Sequence, residues 1–158
     1  MRIFYYCYGS AHSSVIAAAI HLGKLPANRL PTISEICGLP DFDRSSEHQL
    51  GMIHYKGKDE WGNRVYTVGL GSNPPMACRT LQSMVHLLGD LKEFRFYNAL
   101  QCLKLTGKIG GALSRRYGLR CIGRPLAAWG VRRSYPLLVA LVETVKEELR
   151  VASANLSG

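Results

Sequence analysis

The hydrophobic and polar positions change period along the chain, which predicts strands that alternate with helices. The segment Arg2–Tyr8 is rich in aromatic and β-branched residues, as is typical of a strand. After Gly9, the apolar run Val15–Ile20 has the composition of a buried helix, which we predict over Ser13–Leu22. The chain therefore begins with a strand, a short polar loop and a helix.

The remaining pattern predicts an α/β fold. Two strands, near Gly51–Tyr55 and Arg64–Gly69, are joined by a short turn-rich segment and should form an antiparallel hairpin. The other predicted elements are short helix Thr32–Cys37, helix Met76–Leu88, strand Phe94–Tyr97, helix Leu103–Tyr117, strand Leu119–Ile122 and a last helix from Ser134. We expect one three-layer domain over residues 1–150 with a mostly parallel sheet, followed by a flexible tail at 151–158.

Three loops leave a predicted strand through a glycine, at Gly9–Ser14, Gly69–Asn73 and Gly123–Arg124. Ligands of open α/β sheets bind at the carboxyl ends of the strands. If the three strands are parallel, the loops share one edge of the sheet, and that edge is the predicted site.

The first of these loops has the composition of a phosphate-binding site. Gly9 permits close approach of the backbone, and the first amides of the following helix have no partners within it. Ser10, Ser13 and Ser14 add hydroxyl groups, and His12 adds a donor or proton carrier. The alternative is that these serines only cap a buried helix.

The same loop resembles the end of a P-loop, G-x-x-G-K-[ST], and we describe it as an altered P-loop. Ser14 occupies the magnesium-binding hydroxyl position, while Ser13 replaces the lysine and His12 the second glycine. Without the lysine, nucleoside triphosphate hydrolysis is not predicted, and a reaction and cofactor stay open. The spacing from Cys7 also resembles the Cys-x5-Arg loop of low-molecular-weight tyrosine phosphatases, but Ser13 stands at the arginine position. A buried structural thiol is therefore favoured over a nucleophile.

The positive charge is concentrated in the second half of the chain. The net charge is +9, and no acidic residue lies between Glu93 and Glu143, where there are nine cations: Arg95, Lys104, Lys108, Arg115, Arg116, Arg120, Arg124, Arg132 and Arg133. Such a field attracts phosphates. We predict that Arg115, Arg116 and Arg124 assist the first loop. The alternatives are a nucleic-acid-binding or protein-interaction surface over Lys104–Arg133, or a solvated basic face.

Composition excludes several classes of protein. The hydrophobic content of 47% and the charged content of 20% are those of a globular protein. The sequence has five cysteines without C-x-x-C spacing, no visible signal peptide, and no apolar run of about 20 residues. We expect a cytoplasmic protein without membrane contact. His21, His54 and His86 lack partners at ligand spacing, so no metal site is predicted. The oligomeric state stays open.

Several segments together resemble the bacterial domain-of-unknown-function family 3189. They are Tyr5–Ser14 with Ala17–Gly23, Tyr55–Glu60, Ile109–Gly111 with Leu113–Arg116, and Gly123–Pro125. The resemblance spans nearly the whole chain. It implies a protein of spore-forming Gram-positive bacteria and supplies no reaction and no assigned catalytic residues.

Overall fold

The computed structural model describes residues 1–44, 49–89, 93–103 and 120–154. Four strands and five α-helices lie in these ranges, in the order β1 Arg2–Cys7, α1 Ser13–His21, α2 Ile33–Gly38, β2 Ile53–Lys58, β3 Arg64–Gly69, α3 Pro74–Leu88, β4 Phe94–Asn98, α4 Arg120–Arg133 and α5 Tyr135–Ala154. A short 3-10 turn, Leu100–Cys102, follows β4. The predicted α/β class is confirmed.

The four strands form one mixed sheet in the order β2-β3-β1-β4. The central strand β1 is parallel to both β3 and β4, and β2 pairs with β3 as the predicted antiparallel hairpin. The carboxyl ends of β1 and β3 therefore meet at one edge, with Cys7 opposite Gly69. The loops that follow these two strands share this edge, as the sequence predicts.

The main core lies on one face of the sheet. Ile3 and Tyr5 of β1 and Val65 of β3 are fully buried there, together with every residue of α1. Leu138 and Val142 of α5 belong to the same cluster. Because α1 is packed between the sheet and α5, it is apolar on most faces, and its amino-terminal end is held inside the molecule.

A smaller cluster lies on the opposite face, because successive side chains of a strand point to opposite sides. Tyr6 and Val68 pack there with Leu70 and with Cys78 of α3. Asn73 caps α3 by accepting a hydrogen bond from the amide of Met76 at 3.3 Å. A three-layer arrangement stays a prediction.

The predicted strand Leu119–Ile122 is wrong from its second residue onward, because α4 already begins at Arg120. A short apolar run does not distinguish a strand from a buried helix. The buried positions Ala127, Ala128 and Val131 follow helical spacing, and Pro125 lies within the helix. The loop Gly123–Arg124 therefore does not leave a strand, and it is not a third loop of the site.

Two other predictions concern the ends of the described ranges. The helix predicted at Leu103–Tyr117 falls almost entirely outside the described residues. Helix α5 begins one residue after Ser134 and continues to Ala154, so residues 151–154 of the predicted tail are helical. Within the described part of the chain, no helix is both long enough and apolar enough to cross a membrane.

Candidate functional site

The loop between β1 and α1 is fixed against the end of β3. The amide of Leu70 donates to the carbonyl of Cys7 at 2.9 Å. A Cβ atom at Gly69 would lie 2.9 Å from the carbonyl carbon of Gly9, so the two backbones approach more closely than a side chain permits. Glycine at position 69 is therefore required for this contact.

Ser10 has an unusual backbone conformation and a buried hydroxyl group. Its φ of 53° lies in the left-handed region, which a side chain other than glycine adopts at some cost. Its Oγ donates to Oγ1 of Thr67 on β3 at 2.8 Å. This bond ties the middle of the loop to the neighbouring strand.

His12 joins the loop to a second segment of the chain. Its Nε2 lies 2.9 Å from Oδ1 of Asp43, and both side chains are almost completely buried. The ring of Phe42 packs edge-on against the imidazole, with the ring centroids 5.4 Å apart. The amide of Asp43 also donates to the carbonyl of Ala11 at 3.0 Å. An aspartate in this position fixes the orientation of the histidine ring.

Asp43 and Ser10 share a further property. Asp43 has a φ of 58°, and these two are the only non-glycine residues with positive φ in the described ranges. Ser10 lies within the first loop, and Asp43 is held against the loop by its contacts with Ala11 and His12.

Cys7, the last residue of β1, contacts Ser14, in the first turn of α1. Cys7 Sγ lies 3.1 Å from Ser14 Oγ, and both residues are buried. The Ser14 hydroxyl, which occupies the magnesium position in the P-loop comparison, is thus engaged by a thiol. Nothing in the sequence pattern indicated this contact.

Ser13 differs from its neighbours because its hydroxyl has no partner. The residue has no exposed area, and its Oγ makes no hydrogen bond to any residue that the structure describes. A buried polar group without a partner costs about 1–3 kcal/mol.

The first backbone amides of α1 also lack hydrogen-bond partners among the described residues. The side chain of His12, at the N-cap, makes no capping hydrogen bond. The amides of Ser13, Ser14 and Val15 have no acceptor among the described residues, whereas the amide of Ile16 donates to the carbonyl of His12. In the part of the chain that the structure describes, the first turn of α1 therefore combines three N–H groups and one hydroxyl group without partners.

The predicted basic partners of the loop are only partly described. Arg115 and Arg116 lie outside the described residues. Arg124 lies in α4, where its Nη2 donates to the carbonyls of Cys37 at 2.6 Å and Leu39 at 3.3 Å. Its guanidinium group therefore binds the carboxyl end of α2, and these hydrogen bonds to described residues do not include the loop.

A second histidine site, at the other end of α1, was missed in the sequence. His21 Nδ1 lies 2.8 Å from the hydroxyl of Tyr5, and its Nε2 lies 3.2 Å from Oδ2 of Asp59. Asp59 comes from the β2–β3 turn, and its side chain has no exposed area. No sequence signal joins residues that lie 38 positions apart.

The described residues contain no group of three histidine, cysteine or acidic side chains arranged to hold a metal ion. Four cysteines, Cys7, Cys37, Cys78 and Cys102, carry free thiols.

The fold and the loop define a small α/β protein with a polar strand-to-helix site at the edge of a mixed sheet. The chain belongs to the family described as "Protein of unknown function (DUF3189)", whose model matches residues 2–147. The resemblance to this family is thereby confirmed. No curated protein and no solved structure matches the chain.

Proposed function

We propose that the Gly9–Ser14 loop binds the phosphate group of a phosphorylated small molecule, such as a nucleotide. The observation that carries the proposal is the buried hydroxyl of Ser13, which has no hydrogen-bond partner among the described residues. Buried polar groups in folded proteins almost always have a partner, so an exception requires an explanation. A bound anion would supply the missing acceptor.

The groups around Ser13 favour an anionic ligand over a neutral one. The free amides of Ser13, Ser14 and Val15 point away from the helix at the positive end of its dipole. Hydroxyl and amide donors of this kind bind phosphate oxygens. Gly9 and Ser10 complete the loop, and the pair His12–Asp43 adds a histidine next to the first turn of α1.

Access to the site requires a local opening of the loop. Ser13 and Ser14 have no exposed area, and Ser10 is only 4% exposed. We therefore propose that the ligand enters when the loop moves away from its neighbours, as lids and binding loops do. The strained backbone of Ser10 lowers the cost of this movement, because opening releases the strain.

The proposal also includes the altered P-loop, with the basic residues Arg115, Arg116 and Arg124 as further groups that bind the phosphate. For Arg124 to reach a ligand, it would have to leave the carbonyls of Cys37 and Leu39. A cytoplasmic location is also part of the proposal, and the free thiols support it.

A nucleic-acid-binding role for the segment Lys104–Arg133 has less support. Two arginines near its described end contact the protein itself: Arg132 donates to the carbonyl of Pro31 at 2.9 Å, and Arg133 lies 4.9 Å from the ring centroid of Trp129. No specific observation favours this segment over the loop, so it serves as an alternative outcome in the experiments.

The test is calorimetric titration of the protein with inorganic phosphate, nucleotides and sugar phosphates, each with and without magnesium. We expect at least one of them to bind, and Ser13→Ala to weaken that binding by about tenfold or more, because a hydrogen bond to a charged group contributes about 1.5–3 kcal/mol. Ser34→Ala is the matched control, since Ser34 is an exposed serine in the first turn of α2. It should leave binding unchanged.

Two results would contradict the proposal. The first is the absence of binding by every phosphate compound at millimolar concentration. The second is binding that Ser13→Ala leaves unchanged, which would place the ligand elsewhere on the molecule.

A further inference from the structure

Four aromatic side chains form a row across all four strands. The register places Tyr55 opposite Tyr66, Tyr66 opposite Phe4, and Phe4 opposite Phe96. The ring centroids are 5.5, 4.9 and 4.9 Å apart along this order. We call these four residues the aromatic row. It lies on the face of the sheet opposite α1, because Ile3 and Tyr5 point to the α1 side.

A second row, on the same face, is cationic. Arg64 and Arg2 lie two residues before Tyr66 and Phe4 on their strands, and Arg64 lies opposite both Arg2 and Lys58. The β-bulge between Tyr55 and Gly57 shifts the register, and Lys58 therefore stays level with Arg64. We call Lys58, Arg64 and Arg2 the cationic row. The two rows are roughly 6.6 Å apart along the strands.

The cationic row has few partners within the protein. Lys58 and Arg64 are exposed, and neither side chain has an ion pair or hydrogen bond to the rest of the described chain. Arg2 pairs with Glu93, and its guanidinium group lies 5.0 Å from the ring centroid of Phe94. Two of the three cations are thus available to an external anion.

The aromatic row is partly open to solvent. Tyr55, on the edge strand, is 54% exposed, and Tyr66 and Phe96 are half-buried. Helix α3 lies on this face as well, and Phe96 packs against the cluster that includes Cys78 of this helix. Phe4 is only 4% exposed, so the accessible part of the row runs from Tyr66 to Tyr55. An aromatic surface bordered by cations is uncommon on a protein without a binding partner.

We propose that this face binds single-stranded nucleic acid, with phosphates on the cationic row and bases on the aromatic row. An apolar protein partner would bury the cations without pairing them, which costs desolvation free energy, whereas a polyanion pairs with them. Single strands are bound by aromatic side chains that contact bases, combined with positive charges that follow the backbone. Four-stranded sheets with aromatic residues on one face bind RNA in this way.

The geometry of the rings defines how the bases are held. The planes of Phe4 and Tyr66 are inclined by 12° and those of Phe4 and Phe96 by 20°, so these rings cover one another's faces. Tyr66 is half-buried, and a base lying on its exposed edge makes the favourable edge-to-face contact. Tyr55 is inclined by 56° to Tyr66, and as the exposed end of the row it offers part of its face for stacking.

The experiment measures fluorescence anisotropy of labelled oligouridine and oligothymidine of about 12 nucleotides, a length within the usual site size. Lys58→Glu with Arg64→Glu should weaken binding by about tenfold or more and reduce the slope of log K against log salt by about 1.4, or 0.7 per phosphate contact. Tyr55→Ala should weaken binding by about fivefold or more and leave the slope unchanged, because it removes a base contact.

The matched control is Arg79→Glu with Arg150→Glu. Both arginines are exposed, on α3 and α5, and the double variant changes the net charge by the same amount. It should retain binding within about twofold. Thermal melts of all variants establish that they are folded.

Four outcomes would overturn the proposal: no binding of either oligonucleotide, an equal loss in the Arg79/Arg150 control, no effect of Tyr55→Ala, or loss only in Arg115→Glu with Arg116→Glu. A polyglutamate peptide that binds with the same dependence on Tyr55 and Arg64 would also overturn it, in favour of an acidic protein segment. The proposal does not depend on the Gly9–Ser14 loop.

Discussion

The two ends of helix α1 each carry a histidine paired with an aspartate, yet the two sites differ in how completely their polar groups are satisfied. At the carboxyl end, His21 pairs with Asp59. At the amino end, His12 pairs with Asp43. Both histidines are buried, so burial alone does not distinguish the sites.

The carboxyl-terminal site is saturated with hydrogen bonds. His21 uses both ring nitrogens, one with Tyr5 and one with Asp59. The carboxylate of Asp59 also accepts from the amides of Trp61 and Asn63 and from the side chain of Asn63. Such a network has no capacity for a ligand, and its function is to hold the β2–β3 turn against α1.

The protonation states at this site follow from the same contacts. Burial lowers the pKa of His21, although the neighbouring Asp59 opposes this effect. Burial raises the pKa of the Asp59 carboxyl, but hydrogen bonds from Asn63 and His21 outweigh it, and the pKa is lower than usual. Burial also raises the pKa of the Tyr5 phenol. We therefore assign a neutral imidazole that donates from Nε2 to a charged Asp59 and accepts from Tyr5.

The amino-terminal site is unsaturated by comparison. The Ser13 hydroxyl and three amides lack partners among the described residues, although Cys7, Ser14 and His12 around them are engaged. A complete buried polar network stabilises the fold, whereas an incomplete one requires a further partner, which in our proposal is the phosphate group of a ligand.

The largest expected effect belongs to the saturated site. Asp59→Ala should lower the free energy of unfolding by about 3–5 kcal/mol, because it removes one partner of a buried, hydrogen-bonded pair. Urea denaturation monitored by circular dichroism measures this change. Glu147→Ala is the control, since Glu147 is 60% exposed and pairs with Arg150, which is 69% exposed. It should cost less than about 1 kcal/mol. Equal losses of unfolding free energy in the two variants would show that the Asp59 network stabilises the fold no more than a surface ion pair does.

The next effect is a dependence of stability on pH. The pKa of His21 is lower in the folded protein than its unfolded value of about 6.5, so the unfolded chain binds more protons below that pH. The free energy of unfolding should therefore fall as the pH is lowered from 7.5 to 5.5, by up to about 1.4 kcal/mol per pH unit below 6.5. Urea denaturation at several pH values measures this slope.

The control for the pH experiment is His86→Gln, an exposed histidine on α3. It should keep the wild-type slope. A stability that rises on acidification would mean that His21 is protonated in the folded state and held as an ion pair by Asp59.

The parts of the fold that could be predicted are those with local causes. The strand β1, the loop and α1 follow from a pattern within one stretch of sequence, and the start of α1 at Ser13 was predicted correctly. The strand predicted at Leu119–Ile122 was wrong because a short apolar run is compatible with both kinds of element. Tertiary packing of Ala127 and Val131 favours the helix there.

The candidate site, like the fold, could be predicted only in those features that have local causes in the sequence. The loop Gly9–Ser14 could be chosen from its composition and from its position after a strand. The pairing of His12 with Asp43, and of His21 with Asp59, depends on residues 31 and 38 positions away, which no local pattern reveals. The missing partner of Ser13 could not be predicted either, because satisfaction of a hydroxyl is a property of the packed structure.

The stability of Ser13→Ala without any ligand shows whether the Ser13 hydroxyl lacks a partner in the folded protein. If the Ser13 hydroxyl is buried and unpaired, its removal should raise the free energy of unfolding by about 1 kcal/mol, while Ser34→Ala changes it by less than about 0.5 kcal/mol. Urea denaturation in phosphate-free buffer measures both. A loss of about 1 kcal/mol or more in Ser13→Ala would contradict this expectation, because the hydroxyl would then be a stabilising cap of α1 rather than a buried group without a partner.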